Sequence, residues 1–141
     1  MLSDTEKAYV AGIVDGEGTL QIQTHRVKTK SRLGYLITGH VQIPNTDKKL
    51  IDWILLKYPN ATSWHKNPRK KEHSESWVVV ITKQRDIISF LDDVYPYLII
   101  KKEHAEILKS FCVSRLSHRY GAYTSEEQEM QQYMKIINRK G

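Results

Sequence analysis

One cysteine, Cys112, stands in 141 residues. A disulfide within the chain is excluded, as is a cysteine-built zinc site, and an intracellular setting is expected. No apolar run approaches the ~20 residues that span a bilayer, so no membrane partner is expected. The opening MLSDTEKAYV lacks the basic and apolar segments of a secretion signal. None of the six histidines is paired at ligand spacing on a helix, so zinc is not expected. Linkers, low-complexity segments and internal repeats are also missing, and one domain over 1–141 is the simplest organisation.

What is present is basic charge, and it is unevenly placed. The formal net charge is +6. Residues 24–73 hold eleven Lys/Arg against three Asp/Glu, a local +8, leaving −2 for the rest. A basic middle between near-neutral ends points to a polyanion, with nucleic acid first among candidates. The plainer alternative is a merely soluble basic surface.

Hydrophobic periodicity gives the order α-β-β-α-β-β-α-α-α. Ser3 and Glu6 fit a capping box opening a helix that runs to about Asp15, where Gly16 and Gly18 stop it. Leu20 and Ile22 alternate with polar residues over 19–26. Over 35–43, Tyr35, Ile37, Val41 and Ile43 share one face, and Thr38, His40 and Gln42 the other. Asn45-Thr46-Asp47 opens a second helix carrying Leu50, Ile51, Ile54 and Leu55. Strands are expected near 61–67 and 75–82, with Trp77, Val79 and Ile81 on one face and Trp64 packed in the sheet. Thr82 would cap a third helix with Ile87, Ile88, Leu91, Val94 and Tyr95, ended by Pro96. A fourth helix, about 102–116, turns Ala105, Leu108, Phe111 and Cys112 inward. Ser125 and Gln128 suggest another capping box and a last helix to about Asn138. The fold class is thus α+β: an α-β-β-α-β-β-α core with a four-stranded antiparallel sheet covered by helices on one face, plus C-terminal helices.

The stretch YVAGIVDGEG, residues 9–18, carries chemistry that a plain helix end does not need. Glu17 falls where the helix macrodipole disfavours an anion by roughly 0.3–1 kcal/mol, and Asp15 adds like-charge repulsion. A divalent cation reverses that balance, because hard cations take carboxylate and carbonyl oxygens, here Glu17 and the Gly16 carbonyl. The alternative is a solvated turn with incidental acids. Ala8, Gly12 and Gly16 recur every four residues, with Ala11 beside them. This flat stripe suits close approach of a second helix, and two-fold pairing would bring two copies of Glu17 together. Paired carboxylate-bound metals are a recurrent arrangement for phosphodiester cleavage.

Val10-Ala11-Gly12-Ile13-Val14-Asp15-Gly16-Glu17-Gly18 resembles the LAGLIDADG motif of homing endonucleases. Ala, Gly, Asp, an acid and Gly stand at the motif's places. The resemblance extends over nearly the whole chain. Asn45–Leu50 resembles the segment that opens the family's second long helix, and Tyr95–Lys102 the segment carrying its active-site lysine. The resemblance implies a single-motif homodimer joined through the motif helices, with saddle-shaped sheets over the DNA major groove. It implies Mg²⁺-dependent cutting of both strands of a long target site, leaving 3′ overhangs, with Mn²⁺ or Ca²⁺ as substitutes in the site. Intron homing inside a prokaryotic cytoplasm or an organelle matrix is the implied setting.

Residue by residue, the resemblance makes Glu17 the metal ligand, helped by the Gly16 carbonyl. Lys101 is placed by the scissile phosphate or the attacking water, although Lys102 is an equally basic neighbour. Asn45 takes the place of a water-orienting polar residue, although it or Thr46 could instead cap the following helix. Lys49 takes the place of a basic residue near the phosphates. Ala8, Ala11, Gly12, Asp15 and Gly16 form the dimer interface, with Asp15 supporting the helix end. A polar-faced two-stranded ribbon can read base edges in the major groove. Candidates are Gln21, Gln23, His25, Thr38, His40 and Gln42 on the first hairpin, with Arg26, Lys28, Lys30 and Arg32 at its tip. The second hairpin offers Ser63, His65, Asn67, Arg69, Lys70, Lys71 and His73. Loop lysines are expected on phosphates. Two other readings of the fold are a non-cleaving DNA-binding regulator and a splicing maturase that binds intron RNA. Retention of both Glu17 and Lys101 favours the enzyme.

Overall fold

The computed structural model describes residues 2–27, 34–67, 75–118 and 121–139. Helix α1 (Asp4–Glu17) opens with the expected reciprocal capping box between Ser3 and Glu6. Lys57 Nζ lies 2.6 Å from Glu6 Oε2 and ties this start to the end of α2 (Lys48–Lys57). That hydrogen bond, with the one from the Ser3 backbone, holds the Glu6 carboxyl down at about 2.

Helix α1 runs two residues beyond the expected end. Gly16 continues it, and Gly18 alone terminates it, donating its N–H to the Ile13 and Val14 carbonyls. A Cβ on Gly18 would lie 2.9 Å from Val14 Cα, so only glycine lets the chain turn this tightly into the sheet.

The sheet has the order β1-β2-β4-β3, all antiparallel, from β1 (Thr19–Arg26), β2 (Tyr35–Asn45), β3 (Thr62–Lys66) and β4 (Ser76–Ile81). Leu20 and Ile22 of β1, Ile37, Val41 and Ile43 of β2, and Val79 and Ile81 of β4 are buried beneath the helices. Gly39 belongs to the same face. A Cβ there would come within 2.8 Å of Leu108 Cδ1, so its absence lets α4 (Lys102–Ser117) lie close on the strands. Buried beside it, the Cys112 thiol is pushed up to about 12 and is unreactive.

Helix α5 (Ser125–Arg139) covers the free edge of β1. Gln131 and Asn138, two turns apart on one face, donate side-chain N–H groups to the Ile22 and Leu20 carbonyls at 3.5 and 3.0 Å. An exposed strand edge is thereby satisfied. Helix α3 (Gln84–Val94) adds buried Ile87, Phe90, Leu91 and Val94.

Several expected helix starts move. Asp47, not Asn45 or Thr46, caps α2 through the Lys49 N–H at 2.9 Å, because Asn45 is still the last residue of β2. Lys83, without a side-chain cap, takes the place expected of Thr82. The last capping box is Thr124 with Glu127, one residue earlier than Ser125 with Gln128. Tyr95 leaves the third helix for a short 3-10 turn, Tyr95–Tyr97, and is exposed with Lys102 Nζ 4.3 Å over its ring.

Candidate functional site

The foot of α1 meets the segment joining α3 to α4, and the two exchange hydrogen bonds. The Asp15 carboxylate accepts the backbone N–H groups of Ile99, Ile100 and Lys101 at 2.7, 3.2 and 3.0 Å. In return, Lys101 Nζ donates to the Val14 and Asp15 carbonyls, both at 2.9 Å. The ammonium therefore sits on the negative end of the α1 dipole, which offsets the electrostatic cost of placing two acids there. Burial lowers the Lys101 pKa, and the Asp15 charge works against that shift.

With Asp15 so occupied, Glu17 is left to face solvent on the last turn of α1. The Asn45 amide, at the end of β2, donates to Glu17 Oε2 at 2.7 Å. Asn45 is itself held by the Asp47 N–H on its Oδ1 at 2.7 Å. Lys49 is exposed on the first turn of α2. Glu17, Asn45 and Lys101 thus converge on one corner of the molecule, where α1 enters the sheet.

On the outer side of α1, Ala8, Gly12 and Gly16 are exposed, and a Cβ at either glycine would meet nothing within 4 Å. Their own chain does not use the room they leave. Ala11 departs from the expected stripe: it is fully buried in the core with Val10 and Val14. An alanine one residue from Gly12 is turned about 100° around a 3.6-residue helix, which carries it inward.

The sheet face away from the helices carries Thr19, Gln21, Gln23 and His25 opposite Gln42, His40, Thr38 and Leu36. Gln23 Nε2 donates to Gln21 Oε1 at 2.8 Å. The Thr38 hydroxyl lies 3.1 Å from His25 Nε2 and 2.7 Å from His40 Nε2, linking two imidazoles. Burial lowers the His40 pKa and the His25 charge lowers it further, so His40 favours its neutral form.

Register turns two other members of this set to the opposite face. Ser63 pairs with Val79 and His65 with Trp77, so both share the helix-side face rather than the open one. The His65 ring stacks on Trp77 at 5.3 Å. Arg26 pairs with Tyr35 in the same register as Ile22, at the exposed end of β1. Trp64, expected within the packing, is 48% exposed on the open face. Asn67 follows β3 and is exposed. Lys28, Lys30, Arg32, Arg69, Lys70, Lys71 and His73 lie outside the described residues.

No family profile and no curated protein matches this chain. Solved structures do. The homing endonuclease I-CvuI, in complex with its target in the presence of calcium, superposes with a TM-score of 0.76 at 16% identity, over 95% of this chain and 82% of that one. The archaeal intron-encoded homing endonuclease I-Vdi141I, complexed with DNA, gives 0.76 at 12% identity over 94% and 83%. The LAGLIDADG homing endonuclease I-SmaMI, bound to cleaved DNA, gives 0.71 at 17% identity over 92% of this chain and 42% of that one. Superposed on theirs over 92–95% of its length, this chain has the fold of the LAGLIDADG homing endonucleases.

Proposed function

We propose that the protein is a site-specific DNA endonuclease of the LAGLIDADG type, in which two copies pair through α1 and cut both strands of a long target, leaving 3′ overhangs. One observation carries this reading. Glu17 is an exposed carboxylate, aimed by Asn45, on a helix whose Ala8-Gly12-Gly16 face is left open by its own chain. A mid-helix glycine costs roughly 0.5–1 kcal/mol relative to alanine, so unused room at Gly12 calls for an occupant, and a second α1 fits it.

The donors available suit a hard cation. Glu17 and the Gly16 carbonyl offer oxygen only, and among the described residues no three His, Cys, Asp or Glu side chains gather into a closed site. Water and DNA phosphate oxygens complete such a set, which is how Mg²⁺ is commonly held. A bound Mg²⁺ supplies activation of water and charge stabilisation at the leaving oxygen. The chain's own part is positional. Asn45 fixes the Glu17 carboxylate, and the exchange between Asp15 and Lys101 fixes the helix end that carries it. Lys101 and the exposed Lys49 offer positive charge to the phosphates entering this corner. Strand β2 has eleven residues. At ~3.3 Å per residue it tracks about ten base pairs of duplex in each copy.

Two experiments test the reading. A plasmid library with random insertions, incubated with the protein and Mg²⁺, should be cut at one sequence of about twenty base pairs with related halves. No strand breakage with any divalent metal would sink it. Gly12→Leu should leave the isolated chain as stable or slightly more stable, since its side chain meets open space, while abolishing the dimer. Sedimentation equilibrium that finds an unchanged dimer would refute pairing through α1.

A further inference from the structure

The open face of the sheet is chemically divided. Toward β1 it presents amides, imidazoles and hydroxyls. Toward β3 the next positions in register are Pro44 opposite Val78, and Val78 opposite Trp64. Val80 lies between Gln42 and Thr62 in the adjoining row. Val78 is only 6% exposed although it lies on the face away from the helices, and Pro44 and Trp64 flank it on either side. A single exposed indole needs no explanation, but here it extends a contiguous apolar surface on a face that is otherwise polar apart from Leu36 at its far end.

The position of this surface follows from the register. Pro44 precedes Asn45, the residue that holds Glu17. The apolar patch therefore lies at the end of the sheet nearest Glu17. His25 and Leu36 lie at the far end, eight residues along β2 from Pro44, or roughly 25 Å away.

Resting on the DNA-cutting reading above, we propose that Trp64, with Val80 and Pro44, reads thymine in the base pairs of each half-site nearest the cut. In the major groove, the C5-methyl of thymine is the apolar element of an otherwise polar edge pattern. An apolar surface packs against that methyl. It offers no acceptor to the cytosine amine, so a G·C pair there is desolvated without compensation. Hydrogen-bonding readout falls instead to Gln21, Gln23, His25, Thr38 and His40, which face the outer pairs.

The test begins with the full-length protein selecting its site from a randomised duplex pool in metal-free buffer. Each thymine of the selected site is then replaced by deoxyuridine, which removes one methyl and nothing else. Thymines should be enriched in the inner pairs. Each inner replacement should weaken wild-type binding about fourfold, the effect of one buried methyl, and outer replacements should change little. In Trp64→Ala the inner sensitivity should vanish while outer-pair selectivity persists, which also shows that the variant folds. Inner pairs indifferent to deoxyuridine in the wild type, or undiminished sensitivity in Trp64→Ala, would overturn the proposal. Failure to select any sequence at all would instead overturn the DNA reading, and the proposal with it.

Discussion

Glu17→Gln is expected to lose cleavage by a factor on the order of a thousand while binding its target as well as the wild type. A ligand to a catalytic metal is worth several kcal/mol of transition-state stabilisation, which converts to that factor. The substitution is close to isosteric, and its amide oxygen can still accept the Asn45 hydrogen bond that Oε2 accepts at 2.7 Å. It also removes a negative charge from the C-terminal turn of α1, where the dipole disfavours one. Thermal stability should therefore stay level or rise slightly. Single-turnover cleavage and equilibrium binding on the same duplex separate the two effects. If specific binding disappears along with cutting, Glu17 is a structural residue and the proposed chemistry fails.

Arg115→Leu should destabilise the fold by roughly 3–5 kcal/mol, a large share of the 5–15 typical of a domain. Glu127 is fully buried and Arg115 nearly so. Arg115 Nη1 donates to Glu127 Oε1 at 3.0 Å, Ser114 Oγ donates to Oε2 at 2.7 Å, and the Thr124 N–H donates to Oε1 at 2.8 Å. Burial pushes the Glu127 carboxyl up, but the hydrogen bonds from Ser114, Thr124 and Arg115, with the Arg115 charge, outweigh it and hold it below the usual range. That stabilisation is present above the ordinary carboxylate pKa and is lost as pH falls through the lowered one. Removing Arg115 strands the carboxylate, so the loss should be large at pH 7 and smaller near pH 4, where Glu127 can take up a proton. Replacing Glu127 by Leu as well should recover much of the loss, because an apolar pair of similar volume often matches a buried ion pair. Urea denaturation at both pH values decides it. A loss under about 1 kcal/mol at pH 7 would show that Glu127 is adequately held by Ser114 and Thr124 alone.

The consequences of Arg115 reach the first hairpin. Its guanidinium lies 4.4 Å over the Tyr123 ring, and the Tyr123 hydroxyl accepts the Ile37 N–H at 2.8 Å. Tyr123 also stacks on Tyr35 at 5.7 Å. The connection between α4 and α5 thereby braces the outer part of β2, where Thr38 and His40 face the open side. None of these residues carries a motif, and the network joins positions that the chain keeps about eighty residues apart.

The sequence by itself determined what depends on near neighbours. The Ser3–Glu6 capping box joins residues three positions apart. The alternation of β1 and β2 follows from one face being packed against helices, which specifies their register strongly. The resemblance carried by residues 10–18 sets different expected roles for their two acids. Tertiary structure decided what depends on distant partners. Asp15 finds three amides eighty-odd residues away and Lys101 returns two hydrogen bonds to α1, so the neutralised helix end is an exchange between remote segments. Glu17 acquires its aim only when β2 delivers Asn45. Strand β3 is the clearest division between the two. All five of its residues are exposed, so no buried face imposes a pattern on it. Its side chains are assigned to faces only by pairing with β4, and a shift of one residue reverses every one of them. That pairing, and nothing in the local sequence, turns Ser63 and His65 toward the helices and leaves Trp64 on the open face.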